Sequence, residues 1–395
     1  MEKKKCKILY ANPIFLDYRL PFYKGLNDLF KGSFYVLYST RRYKNRHEKM
    51  LEKIPVVMGE NAIPYTKEVL FNTHTKSFKN PFSEKGQIIP FTRGLLRTIW
   101  KLNPDVILTE GFYQWTPLII VYSILKRKPV FMGYERTLYT ERNVKRIHKL
   151  QRKLTDKFIS GYFVNGIETT KYLLSLGIDE KKIHLGGMNA DSKGLVGSIE
   201  KMSDDDRESF RNLFQQKDGL LFLFSGQIIE RKGVNYLLDA WKSHVAKYKN
   251  DVLILIGVGD LYEKYKKECG NMSSIYFEGR IDYNNVYKYY AIADVFVLPT
   301  IEDNWSLVVP EAMACGLPVT TSIYNGCHTE LVKKDVNGIT FDPYKIETLI
   351  EALDYFHQQD LKKMGEQSIE MEKYFNTENC TQRVYKVLAN YIDNK

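Results

Sequence analysis

The sequence predicts an α/β protein of two doubly wound, Rossmann-like domains, and three observations carry that expectation. Short apolar runs alternate with longer amphipathic stretches along most of the chain. The apolar runs, such as "GLLFLFSG" and "DVLILIGVG", are near-continuous rather than alternating, as parallel strands covered on both faces require. The rhythm breaks once, near residues 187–219, and a chain of 395 residues suits two domains of ordinary size.

Taken in order, "CKILYA" reads as a strand, "YRLPFYKGLNDLF" as a helix and "FYVLYS" as a strand. "TRGLLRTIWKLN" has helical spacing and is stopped by Pro104, ahead of the strand "DVILTE". Strands "PVFMGY" and "GYFVNG" follow, with helices between and after. "GGMNADSKGLVGS" is small and Gly-rich and reads as a hinge. Ser203 caps the helix that opens "SDDDRESFRNLFQQ". Asp204 and Asp206 have the spacing of a metal-binding pair, but in this first turn they read as compensation of the helix dipole.

The second half then runs strand "GLLFLFSG", helix "VNYLLDAWKSHVAKY", strand "DVLILIGVG", helix "LYEKYKKEC", strand "SIYFEGR", helix "YNNVYKYYAIA" and strand "VFVLP". The predicted domains are 1–195 and 196–375, with the final helix, 376–395, expected to pack back on the first. Two such domains are expected to face each other across a cleft, with ligands at the carboxyl ends of the strands.

Hydrophobic content of 44% and charged content of 27% describe a globular chain with ample core, not a disordered one. The net charge of +11 suits an acidic partner: nucleic acid, an anionic membrane or a phosphorylated small molecule. Nucleic acid ranks below the others, because no aromatic-basic stacking motif or known module is present. The five cysteines are scattered without a CxxC pair, and the seven histidines show no ligand spacing, so neither disulfide nor metal is expected. "MEKKKCKILYANPIF" lacks the apolar core of a signal peptide. "TPLIIVYSILKRK" falls short of the ~20 residues a membrane helix needs. A cytoplasmic protein with reduced thiols is expected.

Two stretches carry chemistry. In "FLFSGQIIERKGVNYLL" a strand ends at Ser225-Gly226, and a loop with Gln227, Arg231 and Lys232 leads into a helix. Gly226 lets backbone approach a ligand, and cations beside a helix N-terminus favour an anion such as a diphosphate. A tight turn with two solvated cations is the competing reading. In "IEDNWSLVVPEAMACGLPV" a loop with Glu302, Asp303 and Trp305 leads into a helix that begins near 306–309, with Pro310 tolerated in its first turn. Helix N–H groups around Trp305, Ser306 and Leu307 form a second phosphate cradle. Glu311, one turn in, can accept two hydrogen bonds from a vicinal diol such as ribose, each worth roughly 1.5–3 kcal/mol. A surface carboxylate stabilised by the helix dipole is the alternative. "GVGDLYEK" is a weak dinucleotide fingerprint and reads instead as a compact turn.

Asp303, seven residues, Glu311 and then "AMACGLPV" resembles the signature of family 4 of the retaining nucleotide-sugar glycosyltransferases, which have the GT-B fold. "SG…RKG" and "YFEGR…YKYYAIADVFVLPT" match that family's C-terminal domain in order and spacing, and the resemblance is dense over residues 219–345. It implies that Glu311 holds the donor ribose and Lys232 neutralises the donor diphosphate. Amides around Trp305, Ser306 and Leu307 would touch phosphate or sugar, and Asp303 would lie near the transferred sugar. The chain departs from the pattern at Asp303, where Glu is usual and Glu302 stands just before. It departs at Gln227 where Arg is usual, with Arg231 as the substitute charge. The loop "ANPIFLDYR" lacks the usual paired glycines. "MGYERT" lacks a His that often faces the reacting sugar, leaving Glu135 as the nearest polar residue.

These residues lead to the expectation of a retaining, metal-independent hexosyltransferase, with no cofactor beyond its nucleotide-sugar co-substrate and UDP as the favoured carrier. Its acceptor would be lipid-linked or saccharide, in bacterial surface polysaccharide synthesis such as capsule or lipopolysaccharide. The acceptor side falls to the first domain. There "RNVKRIHKLQRKLTDK" (142–157) sets Arg142, Lys145, Arg146, Lys149, Arg152, Lys153 and Lys157 beside the stripe Val144, Ile147, Leu150, Leu154 and Phe158. That pattern predicts a helix lying on anionic lipid at the inner face of the cell membrane, with a core-packed stripe as the alternative. Two further readings of the whole chain stay open: another GT-B enzyme such as a nucleotide-sugar epimerase, and a non-catalytic sugar-nucleotide or membrane-binding scaffold.

Overall fold

The computed structural model describes residues 6–14, 17–42, 48–72, 88–112, 114–186, 189, 192–214 and 218–394. It divides into two compact units, Met1–Asn189 with Thr377–Lys395, and Ala190–Asn376.

The first unit is built on strands β1 (Ile8–Asn12), β2 (Phe34–Ser39) and β3 (Ala62–Tyr65), a separate hairpin of β4 (Glu68–Asn72) and β5 (Ile88–Thr92), and strands β6 (Val106–Glu110), β7 (Val130–Tyr134), β8 (Gly161–Val164) and β9 (Ile183–Leu185). Seven of these form one parallel sheet in the order β3-β2-β1-β6-β7-β8-β9. Ile8 pairs with Phe34 on one side and Val106 on the other. All five residues of β1 are buried, because the pleat sends Ile8 and Tyr10 into one apolar cluster and Leu9 and Ala11 into another. That double burial is why the strand reads as a continuous apolar run.

Helix Thr377–Asp393 belongs to this unit, placing Val384 and Leu388 in the cluster that holds Ile8 and Tyr10. Tyr391 meets Phe131 edge-on at 5.2 Å. Gly25 and Gly186 make room for it: a Cβ there would fall 2.9 Å from Thr381 and 2.6 Å from Val384.

The second unit carries β10 (Leu221–Ser225), β11 (Val252–Ile256), β12 (Ile275–Gly279), β13 (Val295–Leu298), β14 (Val319–Ser322) and β15 (Gly338–Phe341). They form a parallel sheet in the order β12-β11-β10-β13-β14-β15. Both sheets therefore reverse their strand order next to their first strand, between β1 and β6 and between β10 and β13. Ligands of open α/β sheets bind at the carboxyl ends of such points.

Sequence expectations are corrected at the hinge, the domain division and the basic helix. The Gly-rich hinge is partly helical. Ser192–Ile199 form a helix that packs on helices Tyr283–Ile292 and Val308–Ala314, with Leu195 buried and Ser192 Oγ donating to Glu372 Oε1 at 3.1 Å. Those contacts bring the helix into the second unit, so the division falls at 189/190 rather than at 195. Residues 187, 188, 190 and 191 of the expected hinge lie outside the described residues. The basic helix expected from 142 starts only at Arg146, because turns over 137–144 precede it. Finally, β14 and β15 escape the apolar pattern because they carry Thr and Ser. They are still accommodated, since the Thr320 and Thr321 hydroxyls donate to the carbonyls of Ile339 and Leu298 at 2.9 and 3.0 Å.

Candidate active site

The carboxyl end of β10 leads through Gly226 and Gln227 to a single turn, Glu230–Lys232, and then to helix Val234–Lys247. Gly233 between them has φ 64°, and a Cβ there would fall 2.1 Å from the carbonyl oxygen of Pro299. Only glycine lets this turn sit against the end of β13. Gly257, after β11, is the second close approach, where a Cβ would lie 1.8 Å from the Gly226 oxygen. "GVGDLYEK" is thus a packed turn beside the β10 loop.

The β13 loop is stitched to this turn. Ile301 N and Thr300 Oγ1 both donate to the carbonyl of Arg231, at 2.9 and 3.0 Å. Arg231 Nη1 donates to the carbonyl of Glu302 at 2.9 Å. Lys232 Nζ lies 2.6 Å from Asp303 Oδ2, and Arg231 Nη1 lies 3.3 Å from the same oxygen. Burial alone would raise the Asp303 carboxyl, but the charges of Lys232 and Arg231 outweigh it and hold the group down at about 2. Its other oxygen, Oδ1, accepts from Trp305 N at 3.3 Å.

The loop after β14 supports the next residues. Ser306 N donates to the buried Asn325 side chain at 3.3 Å, and Asp303 N donates to Tyr324 O at 3.2 Å. Helix Val308–Ala314 follows, with Pro310 in its first turn. Glu311 is half-buried on it, 3.5 Å from the hydroxyl of Tyr290, which donates to Oε2.

The structure thus brings Lys232, Arg231, Glu302 and Asp303 into one cluster, on the loops at the β10/β13 reversal, with Glu311 on the helix that follows. Two expectations change. Lys232 faces Asp303 directly, so the residue assigned to sugar and the residue assigned to diphosphate form one ion pair. The Trp305 and Ser306 amides, expected to meet a ligand, are bonded within the loops, and the Trp305 ring is buried, 5.6 Å from Phe375.

Glu135 belongs to the first unit, just after β7, where its carbonyl accepts from Thr169 Oγ1 at 3.0 Å. It lines a cavity at the carboxyl ends of β1, β6 and β7 with Tyr10, Arg19, Glu110 and Asn165. Arg19 Nη1 lies 2.5 Å from Glu110 Oε1 and donates to Tyr10 OH at 2.8 Å, while Tyr10 also donates to Glu110. A Cβ on Gly133 would fall 2.8 Å from the Glu110 carboxylate, so this glycine makes room for it. Burial pushes nearby Tyr23 up to about 12. Arg19 and Glu110 were not singled out in the sequence. The available signal was position, since Glu110 ends the strand "DVILTE" at the point where sheet order reverses.

On helix Arg146–Asp156 the core-packed alternative is excluded. Ile147, Leu150, Leu154 and the following Phe158 are 69%, 57%, 51% and 44% exposed. The buried side is Arg152, 3% exposed and paired with Glu141 at 2.5 Å. Arg152 therefore leaves the expected basic face, while Arg146, Lys149, Lys153 and Lys157 remain exposed on it.

Residues 205–373 match the family model described as Glycosyl transferases group 1. An uncharacterized glycosyltransferase of Methanocaldococcus jannaschii is 31% identical over 147 residues, which are 36% of this chain and 37% of that one. A UDP-Gal:alpha-D-GlcNAc-diphosphoundecaprenol alpha-1,3-galactosyltransferase of Escherichia coli is 26% identical over 225 residues, 55% of this chain and 56% of that one. The matched stretches span 37% and 51% of the first two curated relatives, both uncharacterized glycosyltransferases of M. jannaschii. Among solved structures, Anabaena HepE in complex with UDP superposes with a TM-score of 0.74 at 15% identity, over 97% of this chain and 100% of that one. The fold is of the GT-B type, with two parallel-sheet α/β domains.

Proposed function

We propose that the chain is a retaining glycosyltransferase that moves a hexose from a nucleotide-diphosphate sugar, UDP favoured, to a lipid-linked or saccharide acceptor in bacterial surface polysaccharide synthesis. The observation that carries this is the Lys232–Asp303–Arg231 cluster at the carboxyl ends of β10 and β13, on the loop that leads into the helix whose first turn carries Glu311. Two cations share the single oxygen Asp303 Oδ2 where a diphosphate would sit, and Glu311 offers two acceptor oxygens to a ribose diol. The group 1 match, the UDP-galactose-dependent relative and the UDP-bound fold neighbour support the reading.

Transfer breaks the bond between the sugar C1 and the diphosphate oxygen and forms a bond from C1 to the acceptor oxygen on the same face. The acceptor proton passes to the departing phosphate oxygen. Lys232 and Arg231 act on the charge that develops on that diphosphate, which is electrostatic stabilisation of the transition state. Both oxygens of Asp303 are already engaged, Oδ2 by the two cations and Oδ1 by an amide. This favours a positioning role over a nucleophilic one. The acceptor would approach the first unit's cavity lined by Glu135, Glu110 and Arg19, and the apolar-basic face of helix Arg146–Asp156 suits an anionic lipid surface.

The test is product formation with UDP-, GDP- and dTDP-hexoses and a polyprenyl-diphosphate sugar acceptor, with the anomeric configuration of the product read by NMR. Turnover with retention supports the reading. Nucleotide binding with no turnover on any donor points to the scaffold, and a covalent sugar trapped on Asp303 or Glu135 overturns the same-face mechanism.

A further inference from the structure

The second unit holds a polar cluster at the end of its sheet opposite the donor loops. His244 lies on helix Val234–Lys247, Asp251 just before β11, and His357 in the turn after helix Ile346–Tyr355. Asp251 Oδ2 is 2.8 Å from His244 Nε2 and 2.7 Å from His357 Nε2. The other oxygen, Oδ1, accepts from Leu220 N at 2.8 Å. On its far side His244 Nδ1 is 2.6 Å from Asp354 Oδ1, whose partner oxygen meets Lys247 at 2.8 Å. Tyr248 stacks on His357 at 3.6 Å between ring centroids, fixing the plane of that ring. His244 is 0% exposed, Asp251 1% and His357 20%.

A neutral imidazole has one N–H, yet both nitrogens of His244 face carboxylate oxygens. A cation at Nε2 satisfies this arrangement, and three features favour it. A second imidazole converges on the same Asp251 oxygen. The three ligand atoms come from separate elements and lie within 4.8 Å of one another. Asp354 on Nδ1 is the carboxylate partner that selects the tautomer with an Nε2 lone pair, the outer-shell arrangement of a metal-binding histidine.

We propose that His244, Asp251 and His357 bind one divalent transition-metal ion of the zinc class. Imidazole and carboxylate donors suit that class. Bonds of about 2.0–2.2 Å set ligand atoms roughly 3.4 Å apart in a tetrahedron, so the two contacts to Asp251 would open by little more than half an ångström while the two imidazole nitrogens, within 4.8 Å of each other, would draw together. The partly exposed His357 side leaves the fourth position to water. The ion would tie helix Val234–Lys247, the amino end of the sheet and the end of helix Ile346–Tyr355 together, and its charge would offset the Asp251 and Asp354 carboxylates.

The test uses the untagged full chain, stripped with a chelator and titrated with Zn2+ and Co2+. Metal content is read by mass spectrometry, and Co2+ geometry by its visible absorption. A single equivalent is expected, with tetrahedral Co2+ bands and a raised melting temperature. All are expected to be lost in His357→Ala and kept in His148→Ala. Asp354→Asn should weaken affinity 10- to 100-fold through the outer shell. Wild-type protein that holds no equivalent of either metal, or His357→Ala protein that binds as the wild type does, overturns the proposal.

Discussion

Lys232 Nζ lies 2.6 Å from Asp303 Oδ2, across seventy-one residues of chain, and both side chains are nearly buried. The pair joins the loop after β10 to the loop after β13, so the charge that would receive a diphosphate is held by the loop that would receive the sugar. Lys232→Ala leaves Asp303 with the more distant Arg231 as its paired cation. We expect it to lower unfolding free energy by about 3 kcal/mol, as for a broken buried pair, and kcat/KM by about a hundredfold or more. Urea unfolding and steady-state assays check this. An unchanged kcat/KM in a folded variant removes Lys232 from the transition state.

Because Asp303 is held at about 2 against an ordinary value of 3.8, its stabilising contribution is complete above pH 3.8 and is lost as pH falls through 2. Donor binding is therefore expected to be insensitive to Asp303 titration near neutrality. A binding profile from pH 5 to 8 that is altered by Asp303→Asn contradicts this.

Glu311→Ala is expected to abolish stabilisation by nucleotide while leaving the fold intact, since the side chain is half-buried and its hydrogen bond from Tyr290 is long at 3.5 Å. A nucleotide at 100 times its dissociation constant adds about 2.7 kcal/mol to the wild type. Thermal melts with UDP, GDP and no nucleotide decide it. A full shift in the variant would show that the ribose is held elsewhere.

Glu372 sits buried beside Ser192 and the helix that replaces the expected hinge. Burial raises its carboxyl from 4.5 to about 7, against a smaller lowering by the Ser192 hydroxyl. A raised acid binds more protons folded than unfolded, so stability falls as pH rises from 4.5 to 7. The full effect is roughly 3 kcal/mol at 1.36 kcal/mol per unit. Glu372→Gln should flatten that slope in denaturant melts across the same window. An identical slope in the variant assigns it to other groups.

Lys149→Glu with Lys153→Glu is expected to weaken binding to phosphatidylglycerol vesicles more than tenfold, from about 1 kcal/mol per basic residue near the surface. Leu150→Ser with Leu154→Ser should weaken it without changing its salt dependence. Co-sedimentation at two salt concentrations reads both. Wild type that stays in solution with anionic vesicles disposes of the lipid surface.

The sequence by itself determined the longer apolar strands, the βα rhythm and the two loops that carry the charged residues, because these depend on local pattern: continuous apolar runs, a capping Ser203, Pro310 in a first turn. Tertiary structure alone decided which of those residues meet. Nothing local in "ERKG" or "IEDNW" says that Lys232 and Asp303 form an ion pair. That follows from β10 and β13 being neighbours in the sheet although β11 and β12 lie between them in sequence. The same holds for Arg19 with Glu110, joined by the β1–β6 pairing, and for His244 with His357, which no ligand spacing connects. The helix Arg146–Asp156 shows the other limit. Its apolar stripe and basic residues are periodic in sequence, but which face is buried depended on Glu141 capturing Arg152, a buried ion pair whose desolvation only a folded neighbour can offset.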